Sequence, residues 1–250
     1  MKKTGWGKVL LILVLIFFSI SCCSKNNKFK RQNQNVYEGS HPYNPAAAYY
    51  INQNYYINST VPGVSPVFVG SGNGSGVGIR NSLKYTDILT AGHVCTMPDE
   101  LIILGGSQTV ELSDVSGESF LGTIYAIDEE NDLCIIRIKE KRPVLKLATS
   151  NPNIGDNVYS AGYPQGLFMP GLLHFFHGYF SGVDPFRNGY YNFPASPGSS
   201  GSAIIDDNGE VIGIISAVLK DFHHSTIGPS VEPITIFLLL SEYCDSYCVQ

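Results

Sequence analysis

The stretch Pro197-Gly198-Ser199-Ser200-Gly201-Ser202-Ala203 decides how the rest of the chain is read. It sets a run of small residues between an aromatic segment (Tyr190, Tyr191, Phe193) and an apolar one (Ala203, Ile204, Ile205). Taken alone it is a Gly/Ser loop between two strands, a common feature. A tight turn of such residues also lets backbone N–H groups gather beside a hydroxyl that nothing bulky covers. Acyl transfer needs both, a nucleophile and donors for the developing oxyanion. The choice between loop and nucleophile turn depends on whether a base and its orienting acid lie elsewhere.

Outward from this stretch the chain reads as β-structure. In the first half, apolar runs at 64–69, 77–79, 87–90, 101–104, 109–112, 120–127 and 133–138 are expected strands, and the glycines of 70–76 a flexible turn. In the second half the expected strands are 144–147, 157–162, 174–183, 190–193, 203–206 and 211–219. Asp207-Asn208-Gly209 is a hairpin turn, because Asn-Gly accepts the positive φ that such turns require. Short strands at this spacing, broken by Gly, Asn, Asp and Pro, indicate an all-β barrel or sandwich. Residues 232–243, with Pro233 near the start, read as a helix packed on the second half. The domain is expected over 61–243, in two β-rich parts of similar size, about 61–142 and 143–231, with 244–250 as a tail.

Ahead of it, Lys2, Lys3 and Lys8 precede an apolar core from Val9 to Phe18 and then the small residues Ser19 to Ser21. The core is shorter than the roughly 20 residues of a comfortable membrane span, and residues 1–22 have the form of an export signal. Cys22 and Cys23 stand where a lipoprotein signal places its acylated cysteine, although the usual Leu three positions before Cys22 is missing. Lipid anchoring, plain secretion and an uncleaved anchor all deliver the domain outside the cytoplasm. Residues 23–60, rich in Asn, Gln, Tyr and Lys, read as a linker or pro-segment.

The chain has 250 residues, a 44% apolar share, 15% charged residues and a net charge of -5. The apolar share is typical of a folded protein, and the charged share is low. The negative balance without a basic block speaks against nucleic-acid binding. Past the signal stand Cys95, Cys134, Cys244 and Cys248. Export permits disulfides, and four cysteines allow three pairings that spacing does not choose between. His174, His177, His223 and His224 lack the Cys or carboxylate partners of a metal site, so neither metal nor other cofactor is expected.

A base and an acid are found. Ile88-Leu89-Thr90-Ala91-Gly92-His93 runs an apolar strand into a histidine, and Asp132 opens the apolar strand Leu133-Cys134-Ile135-Ile136. A His, an Asp and a Ser thus stand at strand edges in the order His93, Asp132, Ser200. That order is the one of chymotrypsin-like proteases, and differs from those of α/β-hydrolases and subtilisins.

These segments resemble the trypsin-like serine proteases. Leu89-Thr90-Ala91-Gly92-His93 is similar to their histidine motif, Asp132-Leu133-Cys134-Ile135 to their aspartate motif, and Gly198-Ser199-Ser200-Gly201-Ser202 to their Gly-x-Ser-Gly-Gly/Ser motif. Gly76-Val77-Gly78-Ile79 and Gly209-Glu210-Val211-Ile212-Gly213-Ile214 resemble the strands before the histidine and after the nucleophile. Ala161-Gly162-Tyr163-Pro164-Gln165-Gly166 is similar to a segment of the bacterial high-temperature-requirement proteases and glutamyl endopeptidases. The resemblance covers roughly 61–240. It implies two six-stranded antiparallel β-barrels with a short C-terminal helix, and a serine endopeptidase acting on protein or peptide. Ser200 would be the nucleophile, His93 the base, Asp132 its orienting acid, and the N–H groups of Gly198 and Ser200 the oxyanion hole. Ser216, Ala217 and Val218 match the strand that pairs with substrate backbone. Ile215 stands where glutamyl endopeptidases carry His, and Pro194 where trypsin-like enzymes carry Asp. With Ala195 and Val218 this implies a shallow apolar pocket for small or medium side chains. The alternatives are a catalytically silent barrel that binds proteins or peptides, and an esterase with the same triad.

Overall fold

A computed structural model of the chain describes residues 41–59, 61–219 and 222–247. The export signal, Cys22, Cys23 and the side chains of Cys244 and Cys248 lie outside this description, as does the oligomeric state.

Six strands close the first barrel: β1 (Ala48–Ile57), β2 (Val67–Asn81), β3 (Thr86–Ala91), β4 (Gly106–Asp114), β5 (Ser119–Asp128) and β6 (Leu133–Ile138), in the order β1-β2-β3-β6-β5-β4. Two helical turns separate β3 from β4, α1 (Gly92–Cys95) and α2 (Asp99–Ile103). The segment read as linker or pro-segment therefore contains a barrel strand. β1 is hydrogen-bonded along its whole length, to β2 on one side and β4 on the other. Its Asn and Gln residues hid it: Gln53 is buried, and Ile51 and Tyr49 fill the barrel interior.

The glycines of 70–76, expected as a turn, lie inside the continuous strand β2. Their role is close approach. A Cβ on Gly76 would sit 2.8 Å from Ile88 Cγ2 and 2.9 Å from Ile51 Cδ1, and one on Gly74 would sit 2.8 Å from both methyls of Val94. Residues 101–104, expected as a strand, fall at the exposed helical turn α2, which begins just after Pro98 with Asp99 and Glu100. Acidic residues suit that end of a helix.

The second half is a seven-stranded sheet rather than a closed six-stranded barrel. Its strands are β7 (Asn157–Gly162), β8 (His174–Val183), β9 (Asn188–Tyr191), β10 (Ala203–Ile205), β11 (Val211–Ile214), β12 (Ala217–Leu219) and β13 (Phe222–Pro229), in the order β11-β10-β7-β8-β9-β13-β12. A single bridge between Gly213 and Ser230 ties the β11 edge back beyond β13. The run 211–219 is broken at Ile215 and Ser216, and 144–147 makes only a bridge from Leu147 to Val211. The final helix, α3 (Val231–Tyr247), packs on both halves: Ile234 and Phe237 enter the seam between them, and Arg80 Nη1 of β2 donates to Leu238 O at 3.0 Å.

Strands β3, β6 and β10 are buried on both faces, and their alternation explains the layout. Ile88, Cys134 and Ile136 point into the first barrel, while Leu89, Leu133 and Ile135 point into the seam. In β10, Ile204 enters the second core, and Ala203 and Ile205 the seam. The ends of these strands emerge together where the two halves meet. His93, Asp132 and Ser200 are each found at or just beyond one of them.

Candidate active site

His93 follows β3 on α1, and Asp132 immediately precedes β6, the hydrogen-bonded neighbour of β3. Gly92 makes their approach possible, since a Cβ there would lie 3.0 Å from Asp132 Oδ1 and 3.1 Å from Leu133 N. The His93 backbone N–H donates to Asp132 Oδ1 at 2.7 Å, and His93 Nδ1 lies 2.9 Å from Asp132 Oδ2. Ser216 Oγ donates to Oδ2 as well. Asp132 has φ +51, in the left-handed region that Asp tolerates better than most residues. Burial alone would raise its pKa. Hydrogen bonds from the His93 ring, the Ser216 hydroxyl and the His93 N–H, with the charge attraction of His93, outweigh burial and lower it. An ionised carboxylate only accepts hydrogen bonds. Nδ1 therefore carries its proton, and in neutral His93 Nε2 keeps a free lone pair.

Cys95 and Cys134 form a disulfide, which selects one of the three pairings the sequence left open. Each cysteine stands two residues after a member of the His93–Asp132 pair, so a covalent bond and the hydrogen bonds between His93 and Asp132 join the same two segments.

The turn from Pro197 to Ser202 is held from behind through its carbonyls. Pro197 O accepts from Gln165 N at 2.6 Å, Ser199 O from Ser202 N at 3.0 Å, and Ser200 O from Ser75 N at 2.8 Å. Gly198 O accepts from Ser75 Oγ at 2.8 Å. Ser75 Oγ in turn accepts from Tyr163 N, and Ser75 O accepts from Thr90 Oγ1. Buried Ser75 thus anchors two carbonyls of the turn to β2. In a trans peptide the C=O and N–H point opposite ways, and no cis bond occurs among the described residues. Capture of Pro197 O and Ser199 O leaves the N–H groups of Gly198 and Ser200 facing away from these anchors. Neither has an acceptor among the described residues. Gly198, at φ +88, and Gly201, at φ +85, need glycine on conformational grounds.

Ser200 is half-buried, and the His93 side chain is 49% exposed. Among the described residues no hydrogen bond joins Ser200 Oγ to His93 Nε2. The two segments nonetheless meet at Gly74, whose Cβ would contact Val94 and, at 3.2 Å, Ser200 O.

The residues expected to touch substrate separate. Ala217 and Val218 lie on β12, an edge strand paired only with β13. Ser216 stands just before β12; its hydroxyl donates to Asp132 Oδ2 and its N–H to Ile227 O at 3.0 Å. The break in the strand at Ile215 and Ser216 frees it for this. Ala195 packs on the second core. Ser75 had no separate signal beyond its place between Gly74 and Gly76, and Gln165 none beyond the motif around it. A carboxylate-bound base with a free Nε2, a turn hydroxyl and two unpaired N–H donors together make a set suited to acyl transfer.

The model of the trypsin-like peptidase domain family matches residues 74–214, and the chain belongs to this family. It is 30% identical over 162 residues to the protein HhoA of Synechocystis, covering 60% of this chain and 38% of that protein. To the periplasmic pH-dependent serine endoprotease DegQ of Escherichia coli it is 28% identical over 159 residues, 59% of this chain and 32% of that one. The chain thus spans about a third of the length of the curated relatives it matches. Among solved structures, a serine endoprotease from Yersinia pestis superposes with a TM-score of 0.58 at 21% identity, covering 79% of this chain and 62% of that one. The Rv3671c protease of M. tuberculosis in its active form gives 0.58 at 19% identity, covering 78% and 80%. Both support the same fold.

Proposed function

We propose that the chain is an exported serine endopeptidase. The observation that carries this reading is a carboxylate-bound His93 together with a Ser200 turn whose Gly198 and Ser200 N–H groups have no acceptor among the described residues, in a chain of the trypsin-like family. Ser200 Oγ attacks the scissile carbonyl carbon while His93 Nε2 takes its proton, and Asp132 stabilises the resulting imidazolium. The carbonyl oxygen becomes an oxyanion facing the N–H groups of Gly198 and Ser200. Collapse of the tetrahedral adduct breaks the C–N bond. The leaving amine takes the proton from His93, and the acyl group stays on Ser200. Water, deprotonated by His93, then attacks the acyl-enzyme and releases Ser200. The free edge of β12 receives substrate backbone as an added strand. Ala195 and Val218, with Pro194 and Ile215 in place of charged or polar selectors, favour small or medium apolar side chains before the cut.

Digestion of denatured casein by the full chain, with cleavage sites mapped by mass spectrometry, tests both statements. Cuts after small or medium apolar residues that vanish in Ser200→Ala are expected. Cuts that persist in Ser200→Ala contradict the mechanism, and cuts after Lys, Arg or Glu contradict the pocket. Complete inactivity of the wild-type chain favours a peptide-binding module, the reading that the missing Ser200–His93 hydrogen bond supports.

A further inference from the structure

We propose that one end of the first barrel is a membrane-docking tip, where residues 61–68 and the end of α2 enter the surface of a lipid bilayer. The proposal is independent of the peptidase reading.

The end of β1 gathers the tip. Ile57 pairs with Val67 of β2 on one side and Gly106 of β4 on the other. Asn58 Nδ2 donates to Gly105 O at 2.8 Å, and Ser107 Oγ to Asn58 Oδ1 at 3.0 Å. The turn that joins β1 to β2 and the end of α2 therefore stand side by side. On the first, Val61, Val64, Val67 and Phe68 are each more than half exposed, and on the second Ile103 and Leu104 are. Successive strand residues point to opposite faces. Exposure of both Val67 and Phe68 thus means that β2 is open on both faces here. A strand with one face on a core and one in water alternates apolar with polar, whereas this segment is apolar on both.

Two features favour lipid over a protein partner. The first is charge. From Pro42 to Ile79 the sequence has no Asp, Glu, Lys, Arg or His, in a chain with 15% charged residues. A protein interface surrounds its apolar centre with a polar rim, and neither the turn nor its two flanking strand ends supplies a charge for one. Hydrocarbon demands that absence. The second is the backbone, whose polar groups must be satisfied internally in hydrocarbon. Val61 N donates to Ser59 Oγ at 3.0 Å and Val64 N to Val61 O at 3.2 Å. Pro62 and Pro66 have no N–H. Pro62 followed by Gly63, at φ +83, suits a type II turn with Val61 and Val64 at its ends. Behind it the Tyr56 ring lies 5.9 Å from that of Phe68, and tyrosine is enriched at the membrane–water boundary.

α2 opens with Asp99 and Glu100, so the tip has no attraction for anionic headgroups and takes up neutral lipid. Cys23 stands 18 residues before His41, a length of chain that spans at most about 60 Å. An anchor at Cys22 or Cys23 would keep the tip near the bilayer and make a weak contact intramolecular. Ser75, which holds the Ser200 turn, lies about 26 Å along β2 from Val67, so docking would fix the candidate site at about that reach from the lipid.

The test uses the full chain with Trp6→Phe, which removes its one tryptophan. In that background Phe68→Trp or Ile103→Trp puts a reporter at the tip. Leu83→Trp puts one in the exposed turn at the other end of β2. The probe is a phosphatidylcholine vesicle with or without bromine on the upper acyl chain. Both tip reporters should emit at shorter wavelength and be quenched at least about twofold by brominated lipid, as groups that enter the acyl boundary are. Leu83→Trp should be unchanged. About 1 M salt should leave the quenching intact, because the contact is apolar. Adding Val64→Asp and Ile103→Asp to the Phe68→Trp chain should abolish its quenching, with the thermal unfolding midpoint unchanged. No quenching at the tip, equal quenching with Leu83→Trp, or loss in high salt overturns the proposal. Quenching that survives the two Asp substitutions overturns it as well. So does a wavelength shift that appears without vesicles and grows with protein concentration, which would make the tip an interface between copies of this chain.

Discussion

At the scale of single residues, Asp132 is where the site's hydrogen bonds converge: both nitrogens presented by His93 and the hydroxyl of Ser216 meet its two oxygens. An amide cannot accept at both positions. Asp132→Asn should keep the shape and lose the tautomer, so kcat on the best-cleaved peptide should fall about 1,000- to 10,000-fold. A fall under tenfold would contradict the role of the carboxylate. The same pair has a signature in stability. The Asp132 pKa is lowered from 3.8 in the folded chain, so its contribution is fully present above that value and is lost as pH falls through the folded pKa. In urea melts, the stability gap between wild type and Asp132→Asn should be constant near neutral pH and shrink below about pH 4. A gap that widens on acidification would show the opposite sign. His93, Asp132 and Ser200 of the candidate site could be singled out in the sequence because acyl transfer, the proposed reaction, would demand those side chains. Ser75 and Gln165 were not, because they act largely or wholly through backbone groups that every non-proline residue carries.

At the scale of elements, the link between α1 and β6 holds the His93 and Asp132 segments in register. The disulfide separates its cysteines by 39 residues, and closing a loop of that size removes chain entropy equivalent to about 4 kcal/mol of stability. The double variant Cys95→Ala/Cys134→Ala should therefore lose about 2–5 kcal/mol in equilibrium unfolding. A loss below about 0.5 kcal/mol would mean that hydrogen bonds and packing alone hold the two segments. Among the strands, β6, β7 and β8 matched their expected bounds, since their apolar patterns and flanking turn residues agree. β1 and the glycine-rich part of β2 did not. Polar composition suggested a linker in one and a flexible turn in the other, while the true constraint is contact with partners distant in sequence: Gly76 against Ile88 and Ile51, Gln53 beside Gly72 and Val110. No local pattern carries that information.

At the scale of the whole molecule, the seam organises everything else. The alternation of β3, β6 and β10 sends one set of side chains into each half and another between them; at the ends of β3 and β6 His93 pairs with Asp132, and the Ser200 turn meets the segment after His93 across Gly74. The order of these three residues already pointed to two β-rich halves. That the second half is a seven-stranded sheet with β12 at the end of its order required the pairing of β13, which has polar residues and no clear alternation in the sequence. The proposed activity depends most on Ser200 being a nucleophile activated by His93. The most direct measurement is to react the folded full chain with a fluorophosphonate and locate the adduct by peptide mass spectrometry, beside His93→Ala and Ser200→Ala. One adduct is expected, on Ser200, formed at least about 100-fold faster than in His93→Ala and absent from Ser200→Ala. An adduct elsewhere, an equal rate without His93, or no adduct on a folded wild-type chain would contradict it.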